Sequence, residues 1–154
     1  MPVLILPNLE DSKVAAEQRR NDLYELITRT LRRYPSLNYF QGYHDVVQLF
    51  LLVLGLESSI EPVARLSLLR LRDFMLPTLS GTTPHLNLLP SIIKAADPTL
   101  QQHLAPTDPF FALSATLTLY AHDIEDFNDI TRLFDFLLAW EASMAVYLYA
   151  AVRM

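Results

Sequence analysis

The sequence predicts an all-α protein that folds as a single-domain array of about seven or eight helices. Apolar residues recur at the spacing of helix faces, while prolines and capping residues divide the chain into segments of helical length. The alternation that is typical of a β-strand nowhere persists between turn residues. With 154 residues, of which 51% are apolar, the chain is long enough to bury a hydrophobic core.

The first predicted helix spans residues 16–34 and follows an irregular segment, residues 1–15. Its apolar side chains share one helix face: Leu23, Leu26, Ile27, Leu31 and Tyr34. Pro35 ends the helix, because a proline disfavours the helical conformation of the residue before it. We therefore assign residues 16–154 to the helical domain.

The second predicted helix begins near Asn38 and ends at Gly55. Its body, residues 46–54, is apolar on almost every side, which predicts a central helix that is buried all round. Its first turns are polar and contain Gln41, His44 and Asp45. The sequence thus predicts a cluster of polar side chains at the mouth of a buried helix.

The rest of the chain is also predicted to be helical. Ser59 is expected to cap a third helix, with Pro62 in its first turn, that continues to Pro77. A loop over residues 78–84 follows. Further helices are predicted over residues 85–96, 109–122 (with Asp108 as its cap), 126–140 and 142–153.

The last predicted helix reaches the end of the chain without a glycine or proline stop. Its apolar run, residues 146–152, has no evident partner in the sequence. We therefore expect the chain to be a fragment of a longer protein, with a domain that is incomplete at both ends.

Composition excludes several classes of function. The formal charge is −5 and the twelve basic residues are scattered, whereas nucleic-acid binding needs a concentrated basic surface. The three glycines lie far apart, so no phosphate-binding glycine motif exists. The chain has no cysteine and no serine nucleophile motif. Residues 1–7 have no basic region and only a four-residue apolar run, so we do not expect them to be a signal peptide. Residues 46–56 fall short of the roughly 20 residues of a membrane span.

One segment resembles a known family. Tyr39-Phe40-Gln41-Gly42 is similar to the Tyr-x-Gln-Gly motif of TBC-domain Rab GTPase-activating proteins, and Tyr43-His44-Asp45-Val46-Val47 resembles the branch of that family anchored in the endoplasmic reticulum. Three later segments resemble signatures of the same branch: residues 70–75, 111–114 and 131–138. The resemblance covers roughly residues 16–154, and the order of the segments makes it specific.

The resemblance implies that Gln41 is the catalytic residue, which enters the nucleotide site of a Rab and replaces the GTPase's own glutamine. An amide suits this role, because its oxygen accepts a hydrogen bond from water while its nitrogen donates towards a phosphate. Gly42 is expected to let the backbone approach the partner closely. GTP and Mg²⁺ would arrive with the Rab, so no cofactor is expected in this chain.

For the neighbours of Gln41, the sequence leaves more than one role open. By the resemblance, Tyr39, Tyr43 and His44 bind the partner together with Gly42, but these residue types also pack internally, and the sequence alone favours neither role. Asp45 is expected to support the site, since an acidic residue in a first turn favours the helix. A last motif, Arg-x-x-Asp, provides Arg132 and Asp135, which the resemblance places as structural support.

The resemblance also implies a place in the cell. It points to a Rab of transport between the endoplasmic reticulum and the Golgi, and to the cytosolic face of the endoplasmic reticulum membrane. In that branch, association with the membrane depends on segments outside the part that this chain covers.

The chain departs from the family pattern in one respect. The family uses an arginine finger in an Ile-x-x-Asp-x-x-Arg segment, and no arginine precedes Arg19 here. Arg19 and Arg20 fall at the first predicted helix and are not assigned this role. Because an arginine finger is worth about 10³–10⁵ in rate, an alternative is a catalytically silent Rab-binding or scaffolding domain.

A metal-dependent phosphohydrolase is the rival interpretation. The pairs His44-Asp45 and His122-Asp123 are typical of such enzymes in all-α chains. A metal site needs several such ligands converging at about 2 Å, and the spacing of the histidines does not indicate this. We therefore expect no metal site.

Overall fold

The computed structural model describes residues 9–153, and their side chains over residues 13–152. In this part of the chain there are nine α-helices and three short 3-10 helices, with no β-strand, so the predicted all-α class is confirmed. The α-helices are α1 (Leu9–Arg33), α2 (Tyr43–Leu54), α3 (Leu56–Leu69), α4 (Thr82–Leu86), α5 (Leu89–Ala96), α6 (Pro98–Leu104), α7 (Leu113–Thr118), α8 (Phe127–Ala139) and α9 (Met144–Arg153). The 3-10 helices are Arg72–Met75, Leu79–Gly81 and Pro109–Ala112.

Helix α1 begins earlier than predicted. Residues 9–15, expected to be irregular, are helical, and residues 1–8 lie outside the described part of the chain. No glycine or proline occurs between residues 8 and 34, so nothing in the sequence stops the helix over that stretch.

Helices α1, α2 and α3 pack against one another, and α7 packs against α2, α4 and α9. Val46 and Val47 of α2 are fully buried in this arrangement. The prediction that α2 is buried all round is wrong at its end, because Leu52, Val53 and Leu54 are 43–55% exposed. These side chains line a groove of about 560 Å³ beside α8.

Ser59 does not cap α3. It lies within the helix, is fully buried, and its hydroxyl is 2.6 Å from the carbonyl oxygen of Gly55 and 2.9 Å from that of Phe50. Gly55 takes the N-cap position, and Pro62 lies in the helix interior. The Ser59 hydroxyl therefore joins the end of α2 to the start of α3.

The middle of the chain is more finely divided than predicted. The expected loop over residues 78–84 contains a 3-10 helix and the start of α4, and the helix predicted over residues 85–96 is divided between α4 and α5. Helix α6 was not predicted, although Asp97 caps it by accepting from the N–H groups of Thr99 and Leu100, each at 2.9 Å.

The last three helices differ from their predictions mainly at the ends. The helix predicted over residues 109–122 starts with a 3-10 helix and stops at Thr118, and Asp108 makes no capping hydrogen bond. Helix α8 follows its prediction within a residue at each end, because Asp126 accepts from the N–H groups of Asn128 and Asp129. Helix α9 begins at residue 144 rather than 142.

Within the described residues, no helix combines the length and apolar character that a membrane span requires.

Arg70 ties the middle of the chain to the end of α8. Its guanidinium donates to the carbonyl oxygen of Leu138 at 3.3 Å and to that of Trp140. These carbonyls lie at the C-terminal end of α8, where a helix lacks internal donors and favours a positive charge.

We expect Arg70→Ala to lower the free energy of unfolding by about 1 kcal/mol, because the end of α8 loses its charged donor. The matched control is Arg72→Ala, which removes an exposed ion pair with the adjacent Asp73 at 3.5 Å and is expected to cost less than about 0.5 kcal/mol. Urea denaturation measures both, and equal losses would contradict the role of Arg70.

Candidate functional site

Residues 38–42, which we call the Gln41 turn, lead directly into α2. Upstream, the backbone N–H of Asn38 donates to the carbonyl oxygen of Met75 at 2.8 Å, and its side-chain amide donates to the same oxygen at 3.2 Å. Downstream, the N–H of Tyr43 donates to the carbonyl oxygen of Phe40 at 3.1 Å. The backbone on both sides of Gln41 is therefore fixed.

The side chain of Gln41 is exposed. Its amide has no hydrogen-bonding partner among the side chains and backbone groups that the structure describes. The oxygen and both N–H groups are thus free to bind groups of another molecule.

Gly42 is constrained in two ways. It is buried, its φ is +101°, and a Cβ atom built on it would lie 2.6 Å from Cγ2 of Thr118. The sequence predicted a close approach of this backbone to a partner; the close approach that the structure shows lies within the chain, against the end of α7. Only glycine satisfies both the positive φ and the close contact.

Tyr43 belongs to the core. It is fully buried, and its hydroxyl lies 2.7 Å from Oγ of Ser67. Since that serine already donates to the carbonyl oxygen of Val63, Tyr43 is the donor. Burial raises the pKa of the Tyr43 hydroxyl, and its hydrogen bonds lower it in part. Of the two roles that the sequence left open for Tyr43, the structure shows internal packing: the side chain has no exposed surface for a partner contact, and it joins α2 to α3.

Tyr39 and His44 lie at the surface beside Gln41. Tyr39 is 49% exposed, its hydroxyl is 2.8 Å from Nδ1 of His44, and the two rings stack at 17°. Burial raises the pKa of Tyr39, and the negative charge of Asp45 raises it further. This pair of rings forms an ordered polar surface next to the exposed amide.

Asp45 connects this surface to a distant part of the chain. Its Oδ2 accepts from Nδ1 of His122 at 2.9 Å, and its Oδ1 lies 3.4 Å from Nε2 of His44. With its proton on Nε2, His44 accepts the hydrogen bond of the Tyr39 hydroxyl at Nδ1. We call these four residues the Asp45 network: Tyr39, His44, Asp45 and His122.

In the sequence, His122 was considered as a candidate metal ligand and as a histidine that suits the C-terminal end of a helix. The structure does bring the two histidines to Asp45, but they bind its carboxylate by hydrogen bonding or charge. In the described part of the chain, no group of three or more His, Cys, Asp or Glu side chains is arranged so that it could hold a metal ion. Sequence reasoning missed the role of His122 because its partner lies 77 residues away.

The residues that contact Gly42 and Asp45 belong to one turn, residues 118–122, which we call the support turn. Leu119 and Tyr120 both have positive φ, at 50° and 68°. The Tyr120 hydroxyl donates to the carbonyl oxygen of Ala145 at 2.8 Å, and burial raises the pKa of Tyr120. The support turn is thus anchored to the start of α9.

Arg132 and Asp135 lie on the exposed surface of α8. Neither forms an ion pair or a hydrogen bond with any described residue. Asp135 lines the groove beside α2 instead. The structure therefore gives no polar contact through which the two residues would support the Gln41 turn.

Arg19 and Arg20 lie on α1 and line a groove of about 320 Å³ with Gln48 and Leu52 of α2. They are placed beside the second turn of α2.

An all-α array that carries a Tyr-x-Gln-Gly turn at the start of a buried helix defines a TBC-type helical domain. The comparison with known families agrees, since residues 6–154 match the Rab-GTPase-TBC domain family. The chain belongs to that family, which confirms the resemblance seen in the sequence.

Curated relatives are similar over most of this chain. GTPase-activating protein gyp10 of Schizosaccharomyces pombe is 42% identical over 137 residues, which cover 88% of this chain and 37% of the relative. TBC1 domain family member 20 of Homo sapiens is 40% identical over 141 residues, covering 88% of this chain and 35% of the relative. GTPase-activating protein GYP8 of Saccharomyces cerevisiae is 34% identical over 131 residues, covering 70% and 26%. The chain therefore spans about a third of the length of these relatives.

We expect Gly42→Ala to destabilise the protein by about 2 kcal/mol or more, through the strained φ and the collision with Thr118. Thr118→Ser removes the colliding methyl group, so the cost of Gly42→Ala should fall to about 1–2 kcal/mol in that background.

Gly55→Ala is the control, because Gly55 also has a positive φ but nothing lies within 4 Å of the added Cβ. Its cost should be the same with Thr118 or Ser at position 118. Urea denaturation of the two double-mutant cycles measures the coupling, and additive costs for Gly42→Ala and Thr118→Ser would contradict the close contact.

Substitutions of Tyr39 and Tyr43 test which of the two hydroxyl groups stabilises the fold. Tyr43→Phe should lower the free energy of unfolding by about 1 kcal/mol, because a buried hydrogen bond is lost. Tyr39→Phe removes an exposed hydroxyl and should cost less than about 0.5 kcal/mol. A larger cost at Tyr39 than at Tyr43 in thermal or urea unfolding would reverse the assignment.

Proposed function

We propose that this chain forms the part of a Rab GTPase-activating domain that provides a glutamine finger, Gln41, to a GTP-bound Rab. The observation that carries the proposal is an exposed amide, without a partner among the described residues, on a turn fixed at both ends. Membership in the Rab-GTPase-TBC domain family supports the choice of partner. Two of the relatives described above are GTPase-activating proteins by name.

In this function Gln41 would orient the reacting groups and would form no covalent bond with the nucleotide. GTP hydrolysis depends on a positioned water and on stabilisation of the charge on the transferred phosphoryl group. The Gln41 amide would accept a hydrogen bond from the water through its oxygen and donate to the phosphate through its nitrogen. A turn that is already ordered loses little conformational entropy when the Rab docks.

The residues around Gln41 divide between two roles in this proposal. Tyr39 and His44 are at the surface and would contact the Rab, whereas Gly42 and Asp45 hold the turn from within the chain. GTP and Mg²⁺ would be bound by the Rab. A role at the cytosolic face of the endoplasmic reticulum membrane, in transport to the Golgi, is part of the proposal and depends on segments outside this chain.

An arginine finger distinguishes a domain that accelerates GTP hydrolysis from one that only binds a Rab. The 154 residues contain no Ile-x-x-Asp-x-x-Arg segment. The alternative function is therefore a Rab-binding or scaffolding domain that does not accelerate hydrolysis, and the experiment has to distinguish the two.

We expect Gln41→Ala to lower the maximal rate at which the protein stimulates GTP hydrolysis by a Rab by about 10²–10³-fold, which is the range for loss of one oriented polar group. Phosphate release is measured with a panel of GTP-loaded Rab proteins and the full-length protein that contains this chain. The 154-residue chain is measured in parallel, together with its affinity for each Rab.

Gln102→Ala is the matched control, since Gln102 is a second exposed glutamine, on α6. It should leave the rate within about twofold of the original value, because exposed substitutions away from a site have small effects. Equal rates for Gln41→Ala and the unaltered protein would overturn the glutamine finger. Binding without acceleration, by the full-length protein as well, would establish the scaffolding alternative.

A further inference from the structure

We propose that His122 is a positioning residue for Gln41, and that the support turn holds the Gln41 turn in the orientation a Rab requires. This inference rests on the proposed function. It goes beyond the motif, because the support turn lies about 77 residues from the glutamine that it would orient.

The first link between the two turns is polar. Nδ1 of His122 donates to Oδ2 of Asp45 at 2.9 Å, and the backbone N–H of Asp45 donates to the carbonyl oxygen of Gly42 at 3.0 Å. Gly42 directly follows Gln41. Two hydrogen bonds therefore connect the imidazole to the residue next to the proposed catalytic amide.

The second link is steric. The methyl group of Thr118 packs so closely on Gly42 that a Cβ atom there would lie 2.6 Å away. The hydroxyl of the same threonine donates to the carbonyl oxygen of Ser114 at 2.9 Å and accepts from the N–H of His122 at 3.4 Å. A shift of the support turn would therefore move its polar link and its packing contact together.

The conformation of the support turn is determined by its surroundings, so it can hold the Gln41 turn in place. Its two consecutive residues with positive φ, Leu119 and Tyr120, are both buried, and the Tyr120 N–H donates to the carbonyl oxygen of Ala115 at 2.9 Å. Residues in such sparsely populated conformations persist only where the surrounding structure determines them. Such strain commonly occurs near functional sites.

The exposure of His122 allows its effect on the position of Gln41 to be distinguished from an effect on protein stability. Its side chain is 63% exposed, whereas that of Asp45 is only 22% exposed. Because the imidazole is largely exposed to water, its loss is expected to change the free energy of unfolding little. The effect of losing the His122 side chain should therefore appear in the placement of the Asp45 carboxylate and the turn behind it, and thus in the chemical step.

The test compares His122→Leu, which removes the donor, with His122→Asn, whose side-chain N–H₂ lies near the place of Nδ1. In the full-length protein with an excess of a GTP-loaded Rab, His122→Leu should lower the maximal hydrolysis rate by about tenfold, since small displacements of a positioned group have large effects on rate. The Rab concentration that gives half the maximal rate should not change. His122→Asn should restore most of the rate.

Two controls accompany this pair. His103→Leu alters another exposed histidine, on α6, and should change neither the rate nor the half-saturating concentration. In an Asp45→Ala background, His122→Leu should have no further effect, because its hydrogen-bonding partner is already absent. Thermal unfolding of every variant is the check that each remains folded.

A readout without a Rab distinguishes this inference from the proposed function. In the protein alone, His122→Leu should shift the backbone amide NMR signals of Gln41 and Gly42, and His103→Leu should not. If Gln41→Ala abolishes activity but His122→Leu keeps the full maximal rate, the positioning role is overturned. A change confined to the half-saturating concentration would also overturn it, by making His122 a Rab contact.

Unchanged Gln41 and Gly42 signals in His122→Leu would overturn the link between the turns. If the unaltered full-length protein accelerates no Rab in the panel, the proposed function fails, and the NMR signals alone decide whether His122 holds the Gln41 turn.

Discussion

The structure of the site depends on a single constraint, the left-handed conformation of Gly42 against the side chain of Thr118. Because φ is +101° there, helix α2 cannot extend further towards the N-terminus, and the chain turns at Gln41 instead. The close contact means that no side chain fits at position 42. The exposed position of the Gln41 amide follows from this turn. Upstream of Gln41, Asn38 is hydrogen-bonded to Met75, and downstream of it, Tyr43 is hydrogen-bonded to Ser67.

Local signals in the sequence predicted much of the fold. Pro35 predicted the end of α1, and the helix predicted over residues 126–140 matches α8 to within a residue at each end. The exposed end of α2 was not predictable in this way, because an apolar run shows that burial is possible but not which neighbours are present to provide it. The early end of α7 was also missed, since Leu119 and Tyr120 are unusual residues for positive φ and their conformation depends on tertiary contacts.

The candidate site was predicted in part, for a similar reason. The motif identified the Gln41 segment, but residue type alone did not separate Tyr43, which is buried, from Tyr39, which is exposed. His122 was noticed because of the adjacent Asp123, while in the structure it binds Asp45. A contact between residues 77 positions apart has no local signature, so only the fold reveals it.

The arrangement also accounts for what a glutamine can and cannot contribute. An amide is neutral, so in the proposed function Gln41 would orient water and donate a hydrogen bond, and would not supply the positive charge that stabilises the phosphoryl transition state. An arginine finger contributes about 10³–10⁵ in rate, which corresponds to roughly 4–7 kcal/mol of barrier. Orientation and charge are therefore separate requirements. In the proposed function, the contacts among the Gln41 turn, the Asp45 network and the support turn would serve the first of them, orientation.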